Sequence, residues 1–343
     1  FGFYQVTQRG GMRGSSAVSY INSNLERENL TVLTSAMTKK LVVENGRCTG
    51  VQFEHDGEVK TANAAREVVV SAGAYGSPQI LMVSGIGPRA QLEAHGIEVK
   101  QDLPGVGENL QDHFMVPVAY HVTQPISLAA ATEPEEAEKL AEGMGMLTSN
   151  IGEAGGFVTI MDDAEVPDMQ LHFAPTWFIH DGAANPEGHG MTALPGIVGT
   201  RSRGRVTLNS PDTADNLTVD PGTFSDEHDL HVCVEGVKIA RKIFASPVFD
   251  TYRGDEHLPG QDVQSDEDLA EFVRNYAQTI YHPVGTCKMG SDDMAVVDAA
   301  LRVHGVAGLR VADASIMPTI INANTNAPSI MIGEKCAAMM RAE

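Results

Sequence analysis

The chain has 343 residues, with 24 Lys and Arg against 45 Asp and Glu, and a formal net charge of −21 at pH 7. That length supports one large or two modest domains with a well-buried core. An apolar fraction of 42% excludes wholesale disorder. The acidic balance excludes nucleic acid and an anionic membrane surface as partners, because both need a basic face.

Two long uncharged stretches, 68–88 and 314–333, are interrupted by Gly73, Gly76, Pro78 and Gly85 and by Pro318 and Pro328. Neither is a continuous apolar run of the length a bilayer demands, so no transmembrane segment is expected. Cys48, Cys233, Cys287 and Cys336 form no close pair. No disulfide scaffold or structural zinc site is expected, and a reducing, cytoplasmic compartment fits. The opening at Phe1 shows neither an initiator Met nor a signal peptide, and the expectation is a piece of a longer protein.

From 30 to 74 the pattern is strands and tight turns, with Asn45-Gly46 and Asp56-Gly57 suited to two-residue hairpins. Three valines in 67–71 predict a central, buried strand. It runs through small residues into a helix, for which Ser77 is read as the N-cap, Pro78 as the first turn and Gly85 as the stop. Such a helix N-terminus either faces an anion or simply packs closely on its strand, and both readings stay open.

Residues 114–224 alternate like an antiparallel sheet, with strands at 115–121, 169–174 and 205–208; the acidic stretch 133–142 is a solvated helix or loop. Ser225 is read as the cap of a helix carrying Leu230, Val234, Val237 and Phe244, and Ser265 with Asp268 as the cap of a second. His228 and His231 lie in an acid-rich first turn, which explains them better than a metal does; no metal site is expected. No Gly-x-Ser-x-Gly, His-Glu-x-x-His or strand-linked Gly-x-Gly-x-x-Gly is present, so the chain has no recognisable dinucleotide pyrophosphate loop.

The densest signal is at the carboxyl end. Tyr281-His282-Pro283-Val284-Gly285-Thr286 follows the capped helix. A strand at 309–312 ends in Asp313, and Asn322, Asn324 and Asn326 precede a helix with Asn326 as N-cap and Pro328 in its first turn. A base-capable His, an amide pair and a second helix N-terminus can meet here.

Four segments, SAGAYGSPQILMVSGIG from Ser71, LPGVGENLQDH from Leu103, YHPVGTCKMG from Tyr281 and GLRVADASIMPTIINANTNAPSIMIGE from Gly308, occur in one order. In that order the chain resembles the glucose–methanol–choline family of FAD-dependent alcohol oxidoreductases, in particular its choline-dehydrogenase-like bacterial members. The family's N-terminal strand and Gly-rich ADP loop have no counterpart in the sequence. The resemblance implies a mixed α/β (α+β) fold: a partial FAD-binding, Rossmann-like domain and an interposed substrate domain, an antiparallel sheet with helices. The expected boundaries are 1–112 and 279–343 for the FAD-binding parts and 113–278 for the substrate domain.

By the same resemblance, His282 is the base that takes the alcohol proton as hydride leaves for the flavin, and Asn324 holds the substrate oxygen. Thr325 and Asn326 match positions facing the flavin pyrimidine edge, Asp313 and Ala314 the turn near the pyrophosphate and ribityl chain, Ala72 and Gly73 the approach to the ADP half, and Thr38 a backbone contact to adenine. The implied reaction is oxidation of a primary alcohol, choline-like or non-cationic, to an aldehyde. Lyase or decarboxylase chemistry on the same fold, and a catalytically silent fragment, are the alternatives. The partner is a small-molecule alcohol; the electron acceptor is not legible, and a homo-oligomer stays open. For a choline cation, Trp177, Phe178 and Tyr120 offer rings and Glu153 a charge, with ordinary sheet packing the favoured reading of all four.

Overall fold

A computed structural model describes residues 1–343. The chain forms two compact units. One comprises Thr31–Asp112, Ser202–Ser225 and Tyr281–Glu343; the other comprises Phe1–Leu30, His113–Arg201 and Asp226–Ile280.

The first unit is built around a parallel pair of strands, Val68–Val70 and Leu309–Val311, in register Leu309 to Val68. Val68 and Val69 are half-buried rather than fully buried as a central strand requires, because Leu309–Val311 is the only strand paired with this one. Beside the pair lies a meander of Met37–Glu44, Arg47–His55 and Glu58–Asn63. Its two turns are those read from the sequence: Asn45 and Gly46 have φ of 49° and 73°, and Asp56 and Gly57 have φ of 55° and 76°. Positive φ at both central residues gives the twist a tight hairpin needs. Leu41, buried among Leu81, Met82 and Ile86, docks the meander on the Gly73–Val83 helix. There the Ser84 hydroxyl accepts the Leu41 N–H at 2.8 Å.

That helix starts at Gly73, four residues before the expected cap. Ser77 lies inside it and Pro78 is an interior proline, a position that costs a helical hydrogen bond unless the freed carbonyl finds another donor. Gly85, with φ of 87°, does terminate it. The carboxyl-terminal helix runs Asn326–Ala342, with Thr325 rather than Asn326 at the N-cap.

The second unit is an eight-stranded sheet. Gly2–Phe3, Ala154–Val158, Met169–Ala174, Gly190–Ile197, Phe114–Met115 and Gln278–Thr279 follow one another, with Val118–Val122 also on Gly190–Ile197 and Arg253–Leu258 beyond it. Every residue of Gly190–Ile197 is buried. The Glu227–Phe244 helix packs across this strand; a Cβ on Gly236 would stand 2.7 Å from Pro195 and 2.8 Å from the Met169 sulfur, so Gly236 permits the close approach. Its N-cap is Asp226, whose carboxylate accepts the His228 N–H at 2.9 Å; Ser225 lies one residue outside. The Asp266–Tyr276 helix carries the full Ser265–Asp268 capping box. Phe1–Leu30 groups with this sheet, not with the residues that follow it, because Gly2 and Phe3 pair with Gly155 and Ala154. Likewise Ser202–Ser225 groups with the first unit, where Leu110 and Gly204 exchange backbone hydrogen bonds.

No helix is long and apolar enough to cross a membrane. All four cysteines are buried and unpaired, and burial raises each thiol pKa, that of Cys233 to about 12. Thiols so held are inert.

Candidate active site

His282 and Asn324 both fall in the parallel-strand unit. Tyr281, with φ of 64°, turns the chain sharply ahead of His282. For a bulky residue that conformation is strained and has to be held by its surroundings. The holding group is Asp112, 4% exposed, whose carboxylate accepts the His282 N–H at 2.9 Å. Two residues on, Val284 and Gln111 exchange backbone hydrogen bonds at 2.9 and 3.1 Å. The segment continues along 314–316: Gly285, Cys287 and Met289 donate to the carbonyls of Ala314, Ser315 and Ile316.

Burial lowers the His282 pKa to about 4, so the imidazole is neutral at physiological pH and has a lone pair to offer. Nearby, burial first and the Asp112 charge second push the Tyr75 phenol up. Asp112 therefore bears on both: it accepts the His282 N–H and its charge acts on the Tyr75 phenol.

Of the residues expected to hold a cofactor, Ala72, Gly73 and Asp313 are joined directly. One Asp313 carboxylate oxygen accepts the Gly73 N–H at 3.0 Å and the Ser77 hydroxyl at 2.5 Å, while Ser77 accepts the Ala72 N–H. The other oxygen accepts the Ser315 N–H at 2.8 Å and caps the short Ala314–Ile316 turn. At this helix start the chain thus supplies a carboxylate of its own, Asp313, to the first N–H. Gly73 has φ of 78° and no atom within 4 Å of where a Cβ would stand. Thr38 lies on the Met37–Glu44 strand, and its carbonyl accepts the Thr213 hydroxyl at 2.6 Å.

Thr325, buried, and Asn326, exposed, begin the carboxyl-terminal helix, with Asn324 exposed just before them. At this start the N-cap Thr325 makes no side-chain cap hydrogen bond, and no acidic residue lies in the first turn. A hollow of about 770 Å³ among Arg47, Arg66, Asp298, Arg302 and Glu343 includes none of these site residues.

In the other unit, Tyr120 and His121 are neighbours on one strand and so face opposite sides of the sheet. His121 packs edge-on to Trp177 at 4.8 Å, whereas Tyr120 packs on Phe244 of the Glu227–Phe244 helix at 4.6 Å. Tyr120 and Trp177 therefore do not form one aromatic cage. Glu153 accepts the Ser149 hydroxyl.

Sequence reasoning assigned no role to Asp112, although LPGVGENLQDH carried part of the resemblance. The available signal was its polarity: Asn109, Gln111 and Asp112 surround Leu110, and buried polar side chains need defined partners.

The chain belongs to the GMC oxidoreductase family. The family's N-terminal profile matches residues 1–115 and its C-terminal profile residues 200–333. It is similar to the oxygen-dependent choline dehydrogenase of Chromohalobacter salexigens, 44% identical over 336 residues that cover 96% of this chain and 60% of that protein. Among solved structures it resembles pyridoxine 4-oxidase from Mesorbium loti, with a TM-score of 0.86 and 27% identity over 98% of this chain and 63% of that one. It also resembles an Aspergillus oryzae formate oxidase studied for the modification of its FAD, with a TM-score of 0.91 and 27% identity over 98% and 64% of the two chains. The chain spans about three-fifths of the length of the curated relatives it matches.

Proposed function

We propose that this chain is part of an FAD-dependent oxidoreductase that oxidises a primary alcohol to an aldehyde, with a choline-like alcohol as substrate. The observation that carries the proposal is His282, an imidazole kept neutral by burial on a backbone pinned by Asp112. An alcohol is too weak an acid to ionise unaided, so a base within hydrogen-bond reach has to take its proton as the C–H bond breaks. His282 does this. Asn324 is a carboxamide and cannot serve as a base; it holds the substrate oxygen.

FAD, when bound, supplies the hydride acceptor. The donor set suits it. The helix beginning at Asn326, with no acidic residue in its first turn and Thr325 at its N-cap, would offer its positive end to the negative charge that gathers on a reduced flavin. Gly73 and Ala72 offer a small-residue surface with open space at the glycine, Asp313 and Ala314 offer backbone at the adjoining turn, and Thr38 lies on the neighbouring meander. Asp313 already accepts the Gly73 N–H, so that donor would not be available to the cofactor's phosphates.

The choline-like substrate rests on the 44% identity to the choline dehydrogenase and not on a cation site assembled from Tyr120 and Trp177. The test is anaerobic mixing of the full-length, flavin-loaded protein with choline and with neutral primary alcohols. Bleaching of the flavin absorbance by a primary alcohol is expected. A flavin that no alcohol bleaches overturns the proposal.

A further inference from the structure

Gln111 is 1% exposed, yet it carries a full set of polar atoms. Its backbone N–H and carbonyl both pair with Val284, two residues beyond His282. Its side-chain oxygen accepts the Ile320 N–H at 3.1 Å. Its side-chain nitrogen donates to the Pro318 carbonyl at 3.2 Å and to the Asn109 carbonyl at 3.3 Å. Both amide donors and one acceptor site are thereby used, which fixes the amide's orientation as well as its position. Asn109 closes the same ring, its amide donating to the carbonyls of Gly285 and Pro318, each at 3.2 Å.

Two chain segments far apart in sequence are gripped by this one residue. One carries His282, and the other runs from Pro318 through Ile320 to Asn324. The residues between Ile320 and Asn324 are not in helix or strand, so no ladder of backbone hydrogen bonds fixes them from within. Main-chain pairing on one side and a side-chain amide mimicking a strand partner on the other convert two independent loops into one rigid piece.

We infer that Gln111 is a positioning residue: its backbone sets His282, its side chain sets the loop that ends in Asn324, and it thereby fixes the spacing between proton acceptor and oxygen holder. This rests on the roles proposed above for His282 and Asn324. It adds a residue that touches neither the substrate nor the cofactor and acts only through the two that do.

The test uses Gln111→Leu in the full-length, flavin-loaded protein. Amide hydrogen exchange across 318–324 is expected to accelerate by about tenfold or more, since the Ile320 N–H loses its acceptor. Flavin reduction at saturating alcohol is expected to slow by about tenfold or more, with the alcohol's dissociation constant changed by less than about threefold. In an Asn324→Ala background the same substitution is expected to slow reduction by less than about threefold, because the group it positions is already gone. Unchanged exchange and an unchanged reduction rate overturn the inference, as does an effect that multiplies fully with Asn324→Ala. Should Gln111→Leu not accumulate as folded protein, Gln111→Glu carries the reduction-rate and Asn324→Ala comparisons in its place: it keeps an acceptor for Ile320 and loses the donors to Pro318 and Asn109. His282→Ala separates the two levels of argument. If it leaves reduction intact, the functional reading fails; if it slows reduction while Gln111→Leu does not, only the positioning role fails.

Discussion

The Thr286 hydroxyl donates to the Ala74 carbonyl at 2.5 Å, and the residue four places beyond Ala74 is Pro78, which has no N–H to give. A side chain from the His282 segment thus supplies the hydrogen bond that the helix cannot make for itself. Both groups are buried, Thr286 completely. Thr286→Val keeps the shape and strands the carbonyl, which should cost about 1–3 kcal/mol in urea unfolding. Adding Pro78→Ala, which restores a backbone N–H at that place, should recover part of the loss. Equal losses in both backgrounds would contradict the pairing.

Two glycines in the site differ in a way substitution can resolve. Gly73 and Gly285 both have positive φ, 78° and 97°. Open space surrounds a Cβ at Gly73, whereas at Gly285 it would stand 2.3 Å from the Asn109 carbonyl oxygen and 3.0 Å from the Gln111 amide nitrogen. Gly73→Ala should therefore cost only the backbone term, about 1 kcal/mol, and Gly285→Ala about 2 kcal/mol or more. Thermal unfolding of the two variants checks the order; a Gly285→Ala protein as stable as Gly73→Ala would contradict the packing.

Asp313 neutralises donors from Gly73, Ser77 and Ser315. Asp313→Asn keeps the size but offers one acceptor oxygen and turns an N–H₂ toward at least one donor. A loss of about 1–3 kcal/mol is expected in chemical unfolding, with the opening turn of the Gly73–Val83 helix exchanging its amide hydrogens faster. Full retention of both stability and protection would show that these three bonds do not hold the turn.

His282 should titrate far below the usual imidazole value of about 6.5, near 4, because burial disfavours its cation. The sign for stability follows. The unfolded chain binds the proton more readily than the folded one, so this group's contribution is complete above about pH 6.5 and is lost as pH falls toward 4. Imidazole NMR signals, assigned by comparison with His282→Ala, give the value directly. A midpoint near 6.5 would contradict the burial.

Much of the local structure was legible in the sequence because it is decided over a few residues. Asn-Gly and Asp-Gly dictate their hairpins, and Ser265 with Asp268 dictates a cap. The misplaced helix starts share one cause. Ser77, Ser225 and Asn326 all have cap-forming chemistry, but Asp313 claimed Ser77 from a distance of 236 residues, and the adjacent Asp226 and Thr325 took the other two ends. In the candidate site, His282 and Asn324 were named through the family resemblance. The hydrogen bonds that hold their segments were not legible: those of Asp112, Gln111 and Thr286 span 170 to 212 residues, and no local pattern announces which distant carbonyl or N–H a buried side chain will meet.

The central claim is that one half-buried, uncharged imidazole, that of His282, takes the proton of the alcohol. Its most direct test is the rate of flavin reduction by the preferred alcohol, measured by anaerobic stopped-flow absorbance in the full-length enzyme and in its His282→Ala variant. The account predicts a slowing of about a hundredfold or more with the flavin still bound. Reduction within a few-fold of the unaltered enzyme would contradict it.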